Sequence, residues 1–267
     1  MKIGFIGAGK MAEALLAALV RGSLAVPEDI VACEVRAERR REIAKRFKVR
    51  VTENPVDVLS DCDVVILAVK PQDLAEVLEP LKPLWRRRHL VLSLAAGRSL
   101  AWIQGRLGDQ VRLVRVMPNL PLMAGEGMSV TCAGAAAMRG DEKKALRILG
   151  CAGKAISLPE KHFDVVTALS GSGPAFFAFY LQVLTKAATE IGLPSESANL
   201  LAVQTMLGAA KYLQETNAST KAFMQAVASP GGTTAAGLEV LEKSVLNQIA
   251  FETIKAATKR SAELGAS

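Results

Sequence analysis

Apolar positions follow two different patterns along this chain, and the change from one to the other divides it in two. Up to about residue 158, short apolar runs alternate with segments whose apolar residues recur every three or four positions. This alternation is typical of strands that alternate with helices. Beyond that point the pattern is almost wholly helical and rich in alanine. The sequence therefore predicts an α/β domain over residues 1–158 and an all-α domain over residues 159–267.

The apolar runs of the first half predict an open parallel sheet. The run Val64–Val69 is continuous, as expected for a strand that is buried on both faces. Helical segments follow most of the runs, so helices are expected on both faces of a doubly wound, Rossmann-type sheet. The predicted strands are Ile3–Ile6, Ile30–Cys33, Val49–Val51, Val64–Val69, Leu90–Leu94, Val111–Val116, Met128–Cys132 and Ala155–Ser157.

A glycine turn joins the first strand to the first helix. The residues from Gly7 to Ala12 fit the pattern G-x-G-x-x-A between a strand and a helical segment, which is the context of a dinucleotide-binding fingerprint. Gly7 permits the tight turn, and Gly9 lets the backbone approach a pyrophosphate. The N–H groups at the start of the helix would face the phosphates. The alternative is an ordinary tight connection between a strand and a helix.

The end of the second strand bears on the choice of cofactor. Glu34 lies 22 residues beyond Ala12, about where this fold places a carboxylate on the adenosine ribose. A carboxylate favours NADH, because it would repel the 2′-phosphate of NADPH. Four arginines that follow could instead bind such a phosphate, or could form a solvated helix face. The balance favours NADH, with NADPH tolerated. These arginines are Arg36, Arg39, Arg40 and Arg41.

Ligands of doubly wound sheets bind beyond the carboxyl ends of the strands, so the segments that follow the strands are candidate cofactor contacts. Lys70 could equally be a solvated loop lysine. The full set of candidate cofactor contacts is Gly7, Ala8, Gly9, Lys10, Met11, Glu34, Arg36, Asn54, Ala68, Val69, Lys70, Pro71, Ala95, Ala96, Gly97, Met117, Pro118 and Asn119.

Two glycine clusters interrupt the helical half. The first, Ser170–Pro174, leads into the segment Ala175–Ala188, which is apolar nearly all round. A chain of this size has little room to bury such a helix, so an obligate dimer is expected. The second, residues 229–234, precedes a helix predicted over Ala235–Lys243. The four N–H groups from Gly231 to Thr234 could converge there on a carboxylate or phosphate. The alternative is a flexible turn with a threonine as N-cap.

Composition narrows the function further. Of the 267 residues 50% are apolar but only 4% aromatic, and the net charge of +7 falls within residues 1–160. A basic first half suits a dinucleotide, whereas no nucleic-acid-binding motif is present. Two histidines argue against a histidine-rich metal site, and no metal is expected. Four scattered cysteines, no apparent signal peptide and no membrane-length apolar run predict a cytoplasmic protein.

Taken together, these motifs resemble those of the pyrroline-5-carboxylate reductase family over essentially the whole chain. The two most specific segments are ALSGSGPAFF at 168–177 and SPGGTTAAGL at 229–238. The others are GFIGAGKMAEAL at the start, AVKP at 68–71, AAG at 95–97 and RVMPN at 115–119.

The resemblance implies hydride transfer from NADH or NADPH to the C=N bond of 1-pyrroline-5-carboxylate, which gives L-proline. It also implies a helical dimerisation domain, a homodimer and often a ring of dimers. In the family the substrate carboxylate lies on the backbone N–H groups of the SPGGTT turn, and its second threonine bonds the ring nitrogen. Thr234 is therefore the candidate catalytic residue. The candidate substrate contacts are Ser229, Gly231, Gly232, Thr233 and Thr234.

The chain departs from the family's usual pattern in three places. Leu120 and Leu122 replace a threonine and an alanine, Asn217 stands where some relatives carry a substrate-contacting polar or acidic residue, and residues 33–36 lack the usual small polar side chains. The alternatives are another NAD(P)H-dependent cyclic imine or oxo-acid reductase and a non-catalytic dinucleotide-binding protein. A 3-hydroxyacid dehydrogenase would want a catalytic lysine. Lys186 lacks the glycine-rich and Asn-Lys context expected for one.

Overall fold

The computed structural model describes residues 1–266 and consists of two compact units. The first unit comprises Met1–Ser172 together with the last helix from Ala256 onwards, and the second comprises Gly173–Lys255. The strands are β1 Ile3–Ile6, β2 Ile30–Cys33, β3 Arg50–Thr52, β4 Val64–Leu67, β5 Leu90–Ser93, β6 Arg112–Met117, β7 Gly127–Ala133 and β8 Gly153–Ser157. The helices are α1 Lys10–Arg21, α2 Ala37–Phe47, α3 Pro55–Asp61, α4 Leu74–Leu78, α5 Leu100–Leu107, α6 Asp141–Gly150, α7 Phe163–Val166, α8 Gly173–Glu190, α9 Ser195–Thr216, α10 Thr220–Val227, α11 Thr233–Lys243 and α12 Leu246–Ala266.

All eight predicted strands form one sheet in the order β3-β2-β1-β4-β5-β6-β7-β8. The strands up to β6 are parallel, which confirms the doubly wound fold, with its change of direction between β1 and β4. The structure departs from a fully parallel sheet at β7, which runs antiparallel to β6. Only a short turn containing the 3₁₀ segment Leu120–Ala124 joins these two strands. A parallel return would need a longer crossover.

Strand β4 shows how the apolar runs build the core. Val64 and Ile66 belong to the hydrophobic cluster on one face of the sheet, and Val65 and Leu67 belong to the cluster on the other. Because side chains alternate along a strand, a continuous apolar run is needed to supply both faces. Helix α1 covers the first of these faces with Leu15, which is fully buried. The glycine turn joins β1 to α1, so the packing of both elements in the core fixes the two ends of this turn.

Residues 159–172, which by their sequence pattern are predicted to belong to the helical domain, pack with the first unit. Phe163 is buried beneath the guanidinium of Arg115, whose Cζ lies 4.5 Å from the centre of the phenyl ring. Nη1 of Arg115 also donates to the Glu160 carboxylate over 2.8 Å. The Leu100 N–H donates to the same carboxylate at the start of α5. Contacts with β6 and α5 thus hold this segment against the sheet.

The second unit is made only of helices and buries little of its apolar surface. Among residues 173–255, Ala198 is the only apolar side chain that is buried. Phe179 in α8 is 67% exposed and Leu200 in α9 is 68% exposed. Within residues 1–266, no helix is both long enough and apolar enough to cross a membrane. The apolar faces of this unit therefore require a protein partner if they are to be covered.

His89, which precedes β5, is buried in its neutral form. Its Nδ1 accepts the Arg86 N–H over 3.0 Å, so its proton lies on Nε2, which donates to the Leu59 carbonyl over 3.0 Å. Burial lowers the pKa of His89 below its ordinary value of 6.5, and the charges of Arg86 and Arg88 act in the same direction. The unfolded chain therefore binds a proton at a higher pH than the folded chain does. Stability is thus expected to fall as the pH falls below about 6.5.

The His89→Asn variant tests this dependence, because its amide oxygen can still accept the Arg86 N–H but cannot titrate. In the wild type the free energy of unfolding should fall between pH 7.5 and 5.5 by at most about 1.4 kcal/mol per pH unit. That slope should be absent in His89→Asn and retained in His162→Asn, whose histidine is exposed. Urea unfolding at both pH values measures it. An unchanged slope in His89→Asn would contradict the assignment.

Candidate active site

The turn that follows β1 depends on Gly7. Its φ is 94°, in the left-handed region that favours glycine, and its N–H donates to the Cys33 carbonyl over 2.9 Å. A Cβ atom at Gly7 would lie 2.8 Å from the carbonyl carbon of Ala68. The chain can therefore pass between the ends of β2 and β4 only where no side chain is present.

Helix α1 begins directly after this turn, with Gly9 as its N-cap and no side chain bound there. The Glu13 N–H donates to the Gly9 carbonyl over 2.9 Å, so the N–H groups of residues 10–12 precede the first helical hydrogen bond. A Cβ atom at Gly9 would meet no atom within 4 Å. The open space before this helix fits a pyrophosphate group, since the N–H groups and the helix dipole both favour an anion.

The ends of the neighbouring strands lie along the same edge of the sheet. Ile6 pairs with Leu67, Leu67 with Ser93, and Ser93 with Arg115. The segments that follow β4, β5 and β6 are therefore neighbours at the edge where doubly wound sheets bind ligands. These segments are Ala68–Pro71, Ala95–Gly97 and Met117–Asn119, as the sequence predicts.

Glu34 lies at the end of β2 and is buried. Its Oε1 accepts hydrogen bonds from both the backbone N–H and the Nε of Arg36, each over 3.1 Å. Burial acts to raise the pKa of the Glu34 carboxyl, but the hydrogen bonds from Arg36 outweigh it, and the pKa is lowered. Glu34 therefore presents a negative charge where the adenosine ribose is expected.

Of the four arginines considered as phosphate ligands, Arg39 and Arg40 are bound to protein acceptors, whereas Arg36 and Arg41 are exposed. Nη1 of Arg40 donates to the carbonyls of Glu34 and Val35 over 2.8 Å each, and its Nη2 forms an ion pair with Glu53. Arg36 pairs with Glu34 but remains mostly exposed. The interactions of Arg40 thus argue against a dedicated 2′-phosphate site built from this residue.

The two candidate asparagines both serve the protein through their side chains. Oδ1 of Asn54 accepts the Val56 N–H over 3.0 Å and caps α3. Asn119 is buried, and its Oδ1 accepts the Met128 N–H over 2.8 Å. Its Nδ2 donates to the carbonyl of Ser170 over 3.2 Å. Since its side-chain amide is occupied in this way, Asn119 would contact a cofactor through its backbone.

The segment that Asn119 binds forms one turn of π-helix, Thr167–Gly171, closed by a bond from the Ser172 N–H to the Thr167 carbonyl. A Cβ atom at Gly171 would lie 2.5 Å from Cε of Met117. Turns of this kind occur frequently at functional sites. The glycines here are evident in the sequence, but neither the π-helix nor its contact with residues 117–119 is predictable from them.

The turn of residues 229–234 supplies a second helix N-terminus. Gly231 has a φ of 70°, and Gly232 is the N-cap of α11 without a side-chain cap. The Gly232 N–H donates to the Ser229 carbonyl over 3.0 Å, so it is not available to an anion. The expectation that four N–H groups converge is wrong at this residue, because Gly232 closes the turn. The N–H groups of Thr233 and Thr234 precede the first helical bond, which Ala236 donates.

Comparisons with known proteins agree with this geometry. The family model for pyrroline-5-carboxylate reductase dimerisation matches residues 160–264, and the model for coenzyme F420-dependent NADP oxidoreductases matches residues 2–97. The pyrroline-5-carboxylate reductase of Synechocystis sp. is 39% identical over 99% of this chain and 98% of its own length. The solved structure of the Coxiella burnetii pyrroline-5-carboxylate reductase is 34% identical and covers 98% of each chain, with a TM-score of 0.95.

The chain belongs to the pyrroline-5-carboxylate reductase family. Membership confirms the resemblance of the motifs, the Rossmann-type domain with a helical dimerisation domain, and an NAD(P)H-dependent oxidoreductase that acts on a C=N bond. The structure of pyrroline carboxylate reductase from Plasmodium falciparum contains NADP. It is 27% identical, covers 99% of this chain and 98% of that one, and has a TM-score of 0.85.

The geometry around Thr234 bears on the two interpretations of its turn in this reductase. Because the N-cap is Gly232, neither threonine caps the helix. Thr189 and Thr253 donate their hydroxyls to the carbonyl four residues earlier. Thr234 is the second residue of its helix and has no helical carbonyl behind it. Among the described residues, none forms a hydrogen bond with its hydroxyl, so this group is available to a ligand.

The end of α12 also contacts the cofactor edge of the reductase, a contact that the sequence does not predict. A Cβ atom at Gly265 would lie 3.1 Å from the carbonyl oxygen of Gly97. Near this contact, the buried Ser261 donates its hydroxyl to Asp164 over 2.7 Å. The periodicity of α12 indicates a helix but does not indicate where its end packs.

Proposed function

We propose that this reductase converts 1-pyrroline-5-carboxylate to L-proline and holds its substrate at the turn of residues 229–234. The carboxylate would lie on the N–H groups at the start of α11, and the Thr234 hydroxyl would bond the ring nitrogen. The start of this helix carries the proposal, since Gly232 caps it without a side chain. The N–H groups of Thr233 and Thr234 precede its first helical bond, and such a helix end favours a carboxylate.

The reaction requires little from the protein beyond orientation of the substrate and the cofactor. Reduction of a C=N bond needs a hydride at carbon and a proton at nitrogen, and NAD(P)H supplies the hydride when it is bound. The electron pair of the C=N bond passes to nitrogen, which becomes an amine. Thr234 can donate to a neutral imine nitrogen or accept from a protonated one. Fixing the carboxylate and the nitrogen together orients the reacting carbon, and positioning contributes much of the rate in such reactions.

An assay of NADH and NADPH oxidation with 1-pyrroline-5-carboxylate and with its six-membered homologue tests the proposal. We expect rapid oxidation with the five-membered imine and formation of L-proline. Oxidation only with the six-membered imine or only with an open-chain oxo acid would favour another reductase of the same fold. Dinucleotide binding without oxidation of any of these substrates would indicate a binding protein.

Leu120 is the departure from the family pattern that bears on a different cyclic imine as the alternative substrate. It is 57% exposed, directly after Asn119 on the cofactor edge, where the family usually has a threonine. Leu122, the other departure in this segment, is buried in the core cluster that contains α1 and is not a substrate contact. Comparing the wild type with Leu120→Thr in the assays with the five- and six-membered imines therefore tests the effect of Leu120 on ring size.

We expect NADH to be preferred over NADPH in kcat/KM. The buried, ionised Glu34 would repel a 2′-phosphate, and the guanidinium of Arg40 is held by protein acceptors. Glu34→Ser should narrow or invert the preference, whereas the same change at the exposed Glu38 should not. Steady-state kinetics with both cofactors measure this. A tenfold preference of the wild type for NADPH, about 1.4 kcal/mol, would contradict the expectation.

The helical unit supports an assembly of at least two chains. Residues 173–255 bury little apolar surface by themselves, and both Phe179 and Leu200 are largely exposed. Many other large apolar side chains of this unit are exposed as well, and exposed apolar surface of this extent marks an interaction site. The chain is proposed to form a homodimer through this unit, and dimers could associate further into a ring.

Sedimentation of the wild type at micromolar concentration should give a dimer or a multiple of one. Phe179→Glu combined with Leu200→Glu should shift it towards monomer, because two charges would be buried unpaired at the interface. Val26→Glu, at an exposed position of the first unit, should leave the assembly unchanged. A stable, active wild-type monomer would overturn the proposal.

The cysteines support a cytoplasmic, reducing location. All four, Cys33, Cys62, Cys132 and Cys151, are free thiols. Burial raises the pKa of Cys33 and of Cys62 to about 11, so both remain protonated and unreactive near neutral pH. Scattered, protonated thiols are typical of proteins that remain in a reducing compartment.

A further inference from the structure

Arg39 in α2 is bound to three acceptors around the glycine turn. Its Nε donates to the carbonyl oxygen of Ala8 over 2.8 Å. Its Nη2 forms an ion pair with Glu13, and its Nη1 forms another with Glu42 over 2.7 Å. The side chains of Arg39 and Glu13 are both only 13% exposed. The guanidinium is therefore held in one orientation beside the start of α1.

The bond to Ala8 fixes the direction of a neighbouring N–H group. In a trans peptide the C=O and the following N–H point in opposite directions. The carbonyl of Ala8 points towards Arg39, so the N–H of Gly9 points away from it. The space next to Gly9 is open, since a Cβ atom there would meet nothing within 4 Å. Arg39 thus holds the Ala8–Gly9 peptide in the orientation that points the Gly9 N–H towards the space where the pyrophosphate would bind.

The ion pair with Glu13 has an electrostatic effect at the same place. Glu13 lies in the first turn of α1, next to the N–H groups that would receive a pyrophosphate. An uncompensated carboxylate there would repel the phosphates. Both of its oxygens are paired, one with Arg39 and the other with Arg46, which is largely exposed. Arg39 is therefore the more buried of the two partners that compensate this charge.

We propose that Arg39 is a positioning residue for the pyrophosphate of the dinucleotide. It holds the Ala8–Gly9 peptide and compensates Glu13, and it does not itself bind the 2′-phosphate of NADPH. The proposal rests on the dinucleotide site at the glycine turn and is independent of the substrate turn at residues 229–234.

Titration of the purified protein with NADH and with NADPH, without substrate, distinguishes a positioning role of Arg39 from a role as a ligand of the 2′-phosphate. Arg39→Gln should raise both dissociation constants by the same factor, about tenfold or more, the value of one hydrogen bond to a charged group. Lys45→Gln, on an exposed lysine of the same helix, should change neither. A loss confined to NADPH would identify Arg39 as a 2′-phosphate ligand and overturn the proposal. A lower melting temperature with unchanged affinities would also overturn it.

A second substitution tests whether Arg39 also acts by compensating the charge of Glu13. Adding Glu13→Gln to Arg39→Gln removes the uncompensated charge, so the affinities for both dinucleotides should recover in part. Glu13→Gln alone should have a smaller effect than Arg39→Gln. If the double variant binds no better than Arg39→Gln, compensation of Glu13 is not part of the role of Arg39. Because binding is measured without substrate, a result that contradicts the role of Arg39 does not contradict the proposed reaction.

Discussion

Gly9→Ala is expected to leave the fold intact and to weaken dinucleotide binding by roughly one to two orders of magnitude, about 1.4–2.8 kcal/mol. Gly9 has a φ of −68°, which any residue adopts, and its Cβ would meet no atom of the protein within 4 Å. The same Cβ would project into the space before α1, where the N–H groups of residues 10–12 are to receive the pyrophosphate. The obstruction therefore concerns the ligand and not the fold.

Gly7→Ala is the matched comparison, because its effect should fall on the fold. The left-handed φ and the backbone of Ala68 at 2.8 Å both oppose a Cβ atom. We expect a loss of about 3 kcal/mol or more in stability, which corresponds to roughly 6–12 °C in melting temperature. Gly105→Ala in α5, where the space is open, should leave NADH binding unchanged. Wild-type NADH affinity in Gly9→Ala would remove the glycine turn from the cofactor site.

Local features of the sequence predict the strands and the glycine turn on which this candidate site is built. The turn at Gly7 is recognisable because its requirement for glycine is set by neighbouring backbone, and the run Val64–Val69 is recognisable because a strand buried on both faces needs unbroken apolar residues. The direction of β7 was not predictable in the same way. Apolar content indicates a strand but not its orientation, which follows here from the short connection after β6.

Most features of the candidate site that the sequence does not predict depend on contacts between residues far apart in the chain. Asn119 and Ser170 are 51 residues apart, and nothing in either segment indicates that they meet. The arginines of α2 have the same chemistry in the sequence, yet Arg39 and Arg40 are bound by different acceptors and Arg41 is exposed. Their roles depend on which acceptors the fold places beside each of them, which composition does not determine.

Thr234→Ala is expected to lower kcat/KM by about 10–150-fold, which corresponds to the 1.5–3 kcal/mol of one hydrogen bond to a charged group. Its hydroxyl has no partner among the described residues, and its helix is capped by Gly232. Removing the hydroxyl should therefore cost no stability. The melting temperature should stay the same or rise slightly, because alanine is the better helix former. Affinity for the cofactor should not change.

Two further variants make this result specific to the hydroxyl. Thr234→Ser keeps the oxygen and should retain most of the activity. Thr233→Ala should have a smaller effect than Thr234→Ala, since the predicted contribution of Thr233 is its backbone N–H, which alanine retains. If Thr234 served only to stabilise the start of α11, Thr234→Ala would instead lower the melting temperature with kcat/KM largely intact. A Thr234→Ala enzyme within twofold of the wild type in kcat/KM would exclude Thr234 from the active site.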